Sequence, residues 1–254
     1  MYYAECKIDI NNSNLKEAII ANINTLLSSL YQNGQIFEDY NVAIHKNEIR
    51  VMVCCPEEDS LNVVYQNNYV NKYRSELERN LNSDINFKII GHDQEFKPSK
   101  CCKKTIFYIL YTNMLTQVSP LRCGDCFTPL PLYKIKSNDE SLVYDILKWS
   151  SDYKACDVLY INSSSGEKFG LKQISEYNSK LSKYGILICN RITNAIGIPV
   201  YYYLFNNKKS SVSIDKKQTC PGCGRNWLLN NKLHNIFDFK CNYCYLLSNI
   251  STNI

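Results

Sequence analysis

Four cysteines near the end of the chain limit its fold more than any other feature of the sequence. Cys220-Pro-Gly-Cys223 and Cys241-Asn-Tyr-Cys244 are two Cys-x-x-Cys pairs separated by 17 residues, within the spacing of a four-thiolate zinc site. Two residues between cysteines make a tight knuckle that aims both sulfurs at one ion, and two knuckles fill the four corners of the tetrahedron that zinc accepts. Gly222 and Gly224 suit such turns, which need positive φ and bring backbone N–H groups toward the sulfurs. With every corner supplied by protein, the expected centre is one structural zinc with no open position for water or substrate.

The rest of the chain is long enough for one large core or several small units. Its 254 residues are 45% hydrophobic with only 9 Gly and 7 Pro, a packed composition and not a disordered or collagenous one. It has no apolar run of membrane-spanning length, and residues 1–10 mix charges into the place where a signal peptide would be apolar, so a cytoplasmic protein is expected. The odd count of 13 cysteines argues for reduced thiols rather than a disulfide scaffold. All of the net charge of +5 lies after residue 206, where seven basic residues face two acidic ones. Such a basic tail points toward nucleic acid. Four thiolates and one Zn²⁺ sum to −2, however, which leaves the folded tail less basic than its formula.

Alternation and β-branching predict a strand over 2–10, and apolar residues at helical spacing from Leu15 to Leu30 predict a helix capped by Asn12 or Ser13 and ended by Asn33-Gly34. Two strands, 40–45 and 48–55, flank Lys46-Asn47 as a hairpin turn. A helix over 61–81 and a strand over 85–90 complete the order βαββαβ, that of a ferredoxin-like unit. Residues 91–100 read as a linker. Beyond it, 105–112 is a continuous apolar strand, 139–153 and 166–184 are helices with the second ending near Gly185, and 197–205 is a strand leading to the ribbon. The expected fold is therefore α+β: a ferredoxin-like domain over 1–98, a central α/β segment over 99–206 and a four-cysteine zinc ribbon over 207–254.

Other chemistry-bearing residues are sparse. Cys123-Gly-Asp-Cys126 reads as a redox pair, half of a second metal site, or a rigid turn. The Pro-containing segment after it provides no helix N-terminus to activate a thiol. A second metal would need two more ligands, and adjacent Cys101 and Cys102 are poorly placed to turn both sulfurs toward one ion, so the turn is the preferred reading. His234 is the histidine best placed to act as a ribbon ligand, although the ribbon already has four cysteines. No phosphate-binding, hydrolase or metalloprotease motif occurs, which leaves an enzyme without positive support. Tyr201, Tyr202, Tyr203, Trp227, Phe237, Phe239, Tyr243 and Tyr245 alternate with lysines as a stacking platform would. The competing reading gives Trp227, Phe237 and Phe239 to the ribbon's own small core. Lys208, Lys209, Lys216, Lys217 and Arg225 are the candidate contacts to nucleic acid or another partner.

SPLRCGDC at 119–126, IPVYYYLF at 198–205, CPGCGRNW at 220–227 and IFDFKCNYCYLLSNIS at 236–251 resemble an uncharacterised bacterial family described as zinc-ribbon-containing, with nucleic-acid binding as its suggested role. The resemblance spans about residues 105–251. It implies that Cys220, Cys223, Cys241 and Cys244 are the ribbon ligands and that Cys123 and Cys126 belong to the family pattern. It also implies an alternative role as an immunity protein that neutralises a toxin by protein–protein binding. The expected function is non-catalytic binding of a macromolecule.

Overall fold

The computed structural model describes residues 1–10, 16–94, 101–102, 104–207 and 211–251. The caps expected at Asn12 or Ser13, the end of the linker, and Lys208 and Lys209 lie outside them. Among the described residues the chain is mixed α+β with two sheets. It packs as two compact units, one of residues 1–99 with 117–119 and 131–135, the other of residues 100–116, 120–130 and 136–254.

The first unit follows the predicted order: β1 (Tyr2–Asp9), α1 (Lys16–Gln32), β2 (Tyr40–His45), β3 (Glu48–Cys55), α2 (Asn68–Leu81) and β4 (Lys88–His92). The strands lie in the order β2-β3-β1-β4, every neighbouring pair antiparallel. Both helices therefore cross over a strand placed between the two they connect. Lys46, at φ 55°, turns the β2–β3 hairpin. Alternate residues Ala4, Cys6 and Ile8 of β1 and Ile49, Val51 and Val53 of β3 are buried against Ile19, Ile23, Leu26, Leu27 and Leu30 of α1. The helix expected over 61–81 is broken. A 3-10 turn covers Val63–Tyr65, and α2 starts only where the extended Asn67 accepts the Val70 N–H at 3.0 Å. An asparagine that caps ends one segment and starts another.

The second unit contains β5 (Tyr108–Leu110), β6 (Leu121–Cys123), α3 (Leu142–Asn162), α4 (Glu167–Ser175), α5 (Lys180–Ile196), β7 (Val200–Tyr203), the short α6 (Val212–Asp215), β8 (Leu228–Leu233), β9 (Phe237–Cys241) and β10 (Leu246–Ser248). Its six strands form one sheet in the order β6-β5-β7-β10-β9-β8. The segment expected as the ribbon, 207–254, contributes three of these strands, β8, β9 and β10. β10 pairs parallel to β7 and antiparallel to β9. All four residues of β7 are buried, because the strand is covered on both faces. Tyr202 meets Trp149 of α3 edge-on, while Tyr201 and Tyr203 pack with Phe107, Ile109, Phe237 and Leu247 on the opposite face. The single helix expected over 166–184 is two: α4 stops at Ser175, and α5 runs from Lys180 past Gly185 to Ile196, where Gly197 at φ 70° closes it.

Candidate metal centres

The ribbon cysteines come together as the spacing demands. The sulfurs of Cys220, Cys223, Cys241 and Cys244 all lie within 4.8 Å of one another, and those of Cys223 and Cys241 are 3.6 Å apart. Four sulfurs on a zinc ion at its usual bond length are about 3.8 Å apart, so this set fits a tetrahedral ion. In the first knuckle, Cys220 N–H donates to the Arg225 carbonyl at 2.9 Å, and Gly224 N–H, with φ 72°, donates to the Cys220 carbonyl at 2.8 Å. In the second, Cys241 pairs with Leu246 across the β9–β10 ladder, Tyr245 has φ 52°, and Cys244 N–H donates to Cys241 Sγ at 3.3 Å. A hydrogen bond from the Arg225 backbone is the main reason the Cys223 thiol lies below its ordinary pKa. Cys241 ends β9, the other three cysteines lie in the turns, and a residue with positive φ follows the second cysteine of each knuckle.

A second tetrad of the same kind is present. Cys101, Cys102, Cys123 and Cys126 also hold their sulfurs within 4.8 Å of one another. Cys102 and Cys123 are 3.3 Å apart, and Cys101 and Cys126 are 3.8 Å apart. The expectation of a single metal centre is therefore corrected to two tetrads able to hold a metal ion. The preferred reading of Cys123 and Cys126 as a plain turn rested on Cys101 and Cys102 being unable to face one ion together. Outside a strand or helix the two adjacent side chains do face one point, and the tertiary fold, not the local sequence, brings them to the knuckle. Burial raises the Cys126 thiol pKa, but hydrogen bonds from Thr128 and from the Cys102 and Thr128 backbone outweigh it and bring the thiol down to about 6. At Cys126 these bonds favour the thiolate, the form that a metal binds, whereas the neighbouring Cys101 thiol is raised, chiefly by burial.

The other candidate residues fall elsewhere. His234 is not a ribbon ligand: its Nε2 lies 2.7 Å from the Gly124 carbonyl, inside the Cys123–Cys126 knuckle, and its ring stacks on Phe127 at 5.0 Å. Trp227, Phe237, Phe239 and the three tyrosines of β7 are buried, so they form core and not a stacking platform. Of the tail aromatics proposed for stacking, Tyr243 and Tyr245 are the exposed ones, and Arg225 lies 4.0 Å above the Tyr243 ring. Lys216 and Lys217 are exposed beside α6. Asp157 is buried, where it accepts the Met114 N–H at 2.8 Å and its carboxyl is pushed up by that burial. No helix among the described residues is long and apolar enough to cross a membrane.

Three family models match along the chain. Domain of unknown function (DUF8589) covers residues 1–91, Domain of unknown function (DUF2310) residues 102–205, and Domain of unknown function (DUF8594) residues 209–254. A crystal structure of antibiotic biosynthesis monooxygenase is similar over 37% of this chain and 99% of that one, at 8% identity and a TM-score of 0.30. Two uncharacterized proteins of Haemophilus influenzae are similar in sequence. One is 38% identical over 169 residues, covering 66% of this chain and 82% of the relative. The other is 34% identical over 237 residues, covering 91% of this chain and 90% of the relative. Shared identity at that level over nearly both full lengths places this chain in the same uncharacterised bacterial family.

Proposed function

We propose that this protein is a non-catalytic zinc protein of the bacterial cytoplasm, with a ferredoxin-like first unit and a four-cysteine ribbon, that binds single-stranded nucleic acid through the ribbon knuckles. The observation that carries this reading is the Arg225 guanidinium stacked 4.0 Å from the ring of Tyr243, a residue 64% exposed between two zinc-ligand candidates. A flat aromatic ring backed by a cation offers a base a stacking surface and its phosphate a counter-charge. Exposed Lys216 and Lys217 add positive charge in the same tail. The four thiolates suit zinc, and thirteen free cysteines suit a reducing compartment. Fluorescence anisotropy with short labelled DNA and RNA single strands tests the reading. Affinity should fall steeply with added salt, and Tyr243→Ala should weaken it by roughly tenfold, the lower range for one stacked base. Absence of binding at low salt, or binding that ignores salt, would sink it.

A second reading, an immunity-type protein that occludes a protein partner, is favoured by the face of the first sheet turned away from α1 and α2. Tyr3, Met52 and Ile90 lie exposed there, at 38%, 42% and 51%. Co-purification of one stoichiometric protein without nucleic acid would select this reading over the first.

A further inference from the structure

We propose that Cys101, Cys102, Cys123 and Cys126 form a second zinc centre, separate from the ribbon site and quicker to exchange its metal. Sulfur separations of 3.3 and 3.8 Å within the tetrad lie close to the edge of about 3.8 Å expected around one zinc ion. They do not suit an iron–sulfur cluster, which spreads its cysteines over separate irons. The backbone repeats the ribbon knuckles. Cys123 N–H donates to the Thr128 carbonyl at 2.9 Å, five residues on, as Cys220 does to Arg225, and Phe127 N–H donates to the Cys123 carbonyl at 2.9 Å, as Gly224 does to Cys220. The residue after the second cysteine has positive φ in all three knuckles: 60° at Phe127, 72° at Gly224 and 52° at Tyr245.

A phenylalanine in the left-handed region is unfavourable unless its surroundings hold it there. The surroundings of Phe127 do so. His234 stacks on its ring, Tyr111 and Phe237 pack against it at 5.4 and 5.8 Å, and His234 Nε2 meets the Gly124 carbonyl. Gly124 has no room for a side chain, since a Cβ there would lie 2.4 Å from the Phe107 ring. Two cations lie over the rings beside this knuckle. Arg122, which precedes Cys123, is buried, its Nε has no hydrogen-bond partner among the described residues, and its guanidinium lies 5.5 Å from Phe127. Lys240, half-buried, lies 3.7 Å from the Phe107 ring.

Exchange follows from exposure. At the ribbon, Cys220 and Cys241 are buried and the other two half-buried. At the second centre Cys102 and Cys126 are exposed, Cys101 is half-buried and only Cys123 is buried. A competing ligand must reach a sulfur–metal bond to displace it, and it reaches the second centre first.

Metal analysis of the full chain, purified without chelator, should find two zinc per chain, with Cys102→Ser and Cys126→Ser each reducing it to one. Native mass spectrometry through rising chelator should show one zinc leaving early from the folded wild type, and that early loss should be missing in Cys126→Ser. His234→Ala, which retains all eight cysteines, should weaken the second site by about tenfold and leave the ribbon site unchanged. One zinc in the wild type, iron in place of zinc, two zinc retained in Cys126→Ser, or both ions leaving in a single step would overturn the proposal. None of these outcomes depends on nucleic-acid binding.

Discussion

Gly185 shows how one residue type carries opposite meanings. In the sequence a glycine after an apolar helical stretch reads as a terminator, because glycine weakens helices and favours the conformation that closes them. In the fold it lies inside α5 and is buried on the face toward the sheet. A Cβ there would come within 2.2 Å of the Tyr202 ring and 2.7 Å of Trp149 Nε1. The glycine lets a helix approach a strand of large aromatic residues. Its helical cost is offset by burial of Tyr202 and Trp149, both fully enclosed. Gly185→Ala, although it improves helix propensity, should destabilise the protein by about 1–3 kcal/mol through overpacking, measured as a lower midpoint in chemical denaturation. Gly197→Ala serves as the comparison: beyond its chain neighbours no atom lies within 4 Å of its Cβ position, and the strain there comes from φ 70°.

At the scale of elements, the boundaries that the sequence misplaced were set by small polar side chains. Residues 166–184 read as one helix because apolar periodicity passes through Asn178-Ser179 with little interruption. The chain breaks there because Ser179 takes an extended backbone and its hydroxyl accepts the Ser182 N–H at 3.0 Å. The same hydroxyl donates to the Gln173 carbonyl at 2.7 Å, which closes α4 as it opens α5. Ser179→Ala removes both bonds and should cost about 1 kcal/mol or somewhat more, seen as a lower thermal midpoint. Ser179→Asp retains a capping acceptor and should recover part of the loss. α3 and α5 are joined at their exposed edges by Arg191, which reaches Asp139 and Asp145 at 2.6 Å each, with Tyr184 donating to Asp145 at 2.8 Å. The predicted β2–β3 hairpin formed in its expected register, because two alternating strands joined by a two-residue turn have few other ways to pair.

For the whole molecule, the decisive feature is that the ribbon is not an appendage. β10 hydrogen-bonds to β7, and Tyr202 N–H and Leu204 N–H donate to the carbonyls of Tyr245 and Leu247 at 2.9 Å, directly after the last zinc-ligand candidate. Asn206, Asp215, Asn249 and Ser251 extend that seam with buried polar bonds. Loss of metal should therefore loosen the six-stranded sheet well beyond the knuckles. Hydrogen exchange after complete chelation should show β7, β9 and β10 losing protection while β1 and β3, which belong to the other compact unit and its own core, retain theirs. Equal protection with and without metal would show that the sheet stands by packing alone.

The sequence by itself determined what is local or repeated: the strand and helix periodicities of the first unit, the hairpin, and the convergence of Cys220, Cys223, Cys241 and Cys244 on one point. It also named Cys123 and Cys126 as a pair without showing what they join. Only the tertiary structure decided that Cys101 and Cys102 meet them, that His234 serves the knuckle at Gly124 and not the ribbon, and that the aromatic tail is mostly core. Spacing reports what a few bonds of chain can reach. Which distant segments share one sheet depends on burying both faces of β7 at once, and that requirement belongs to the assembled fold.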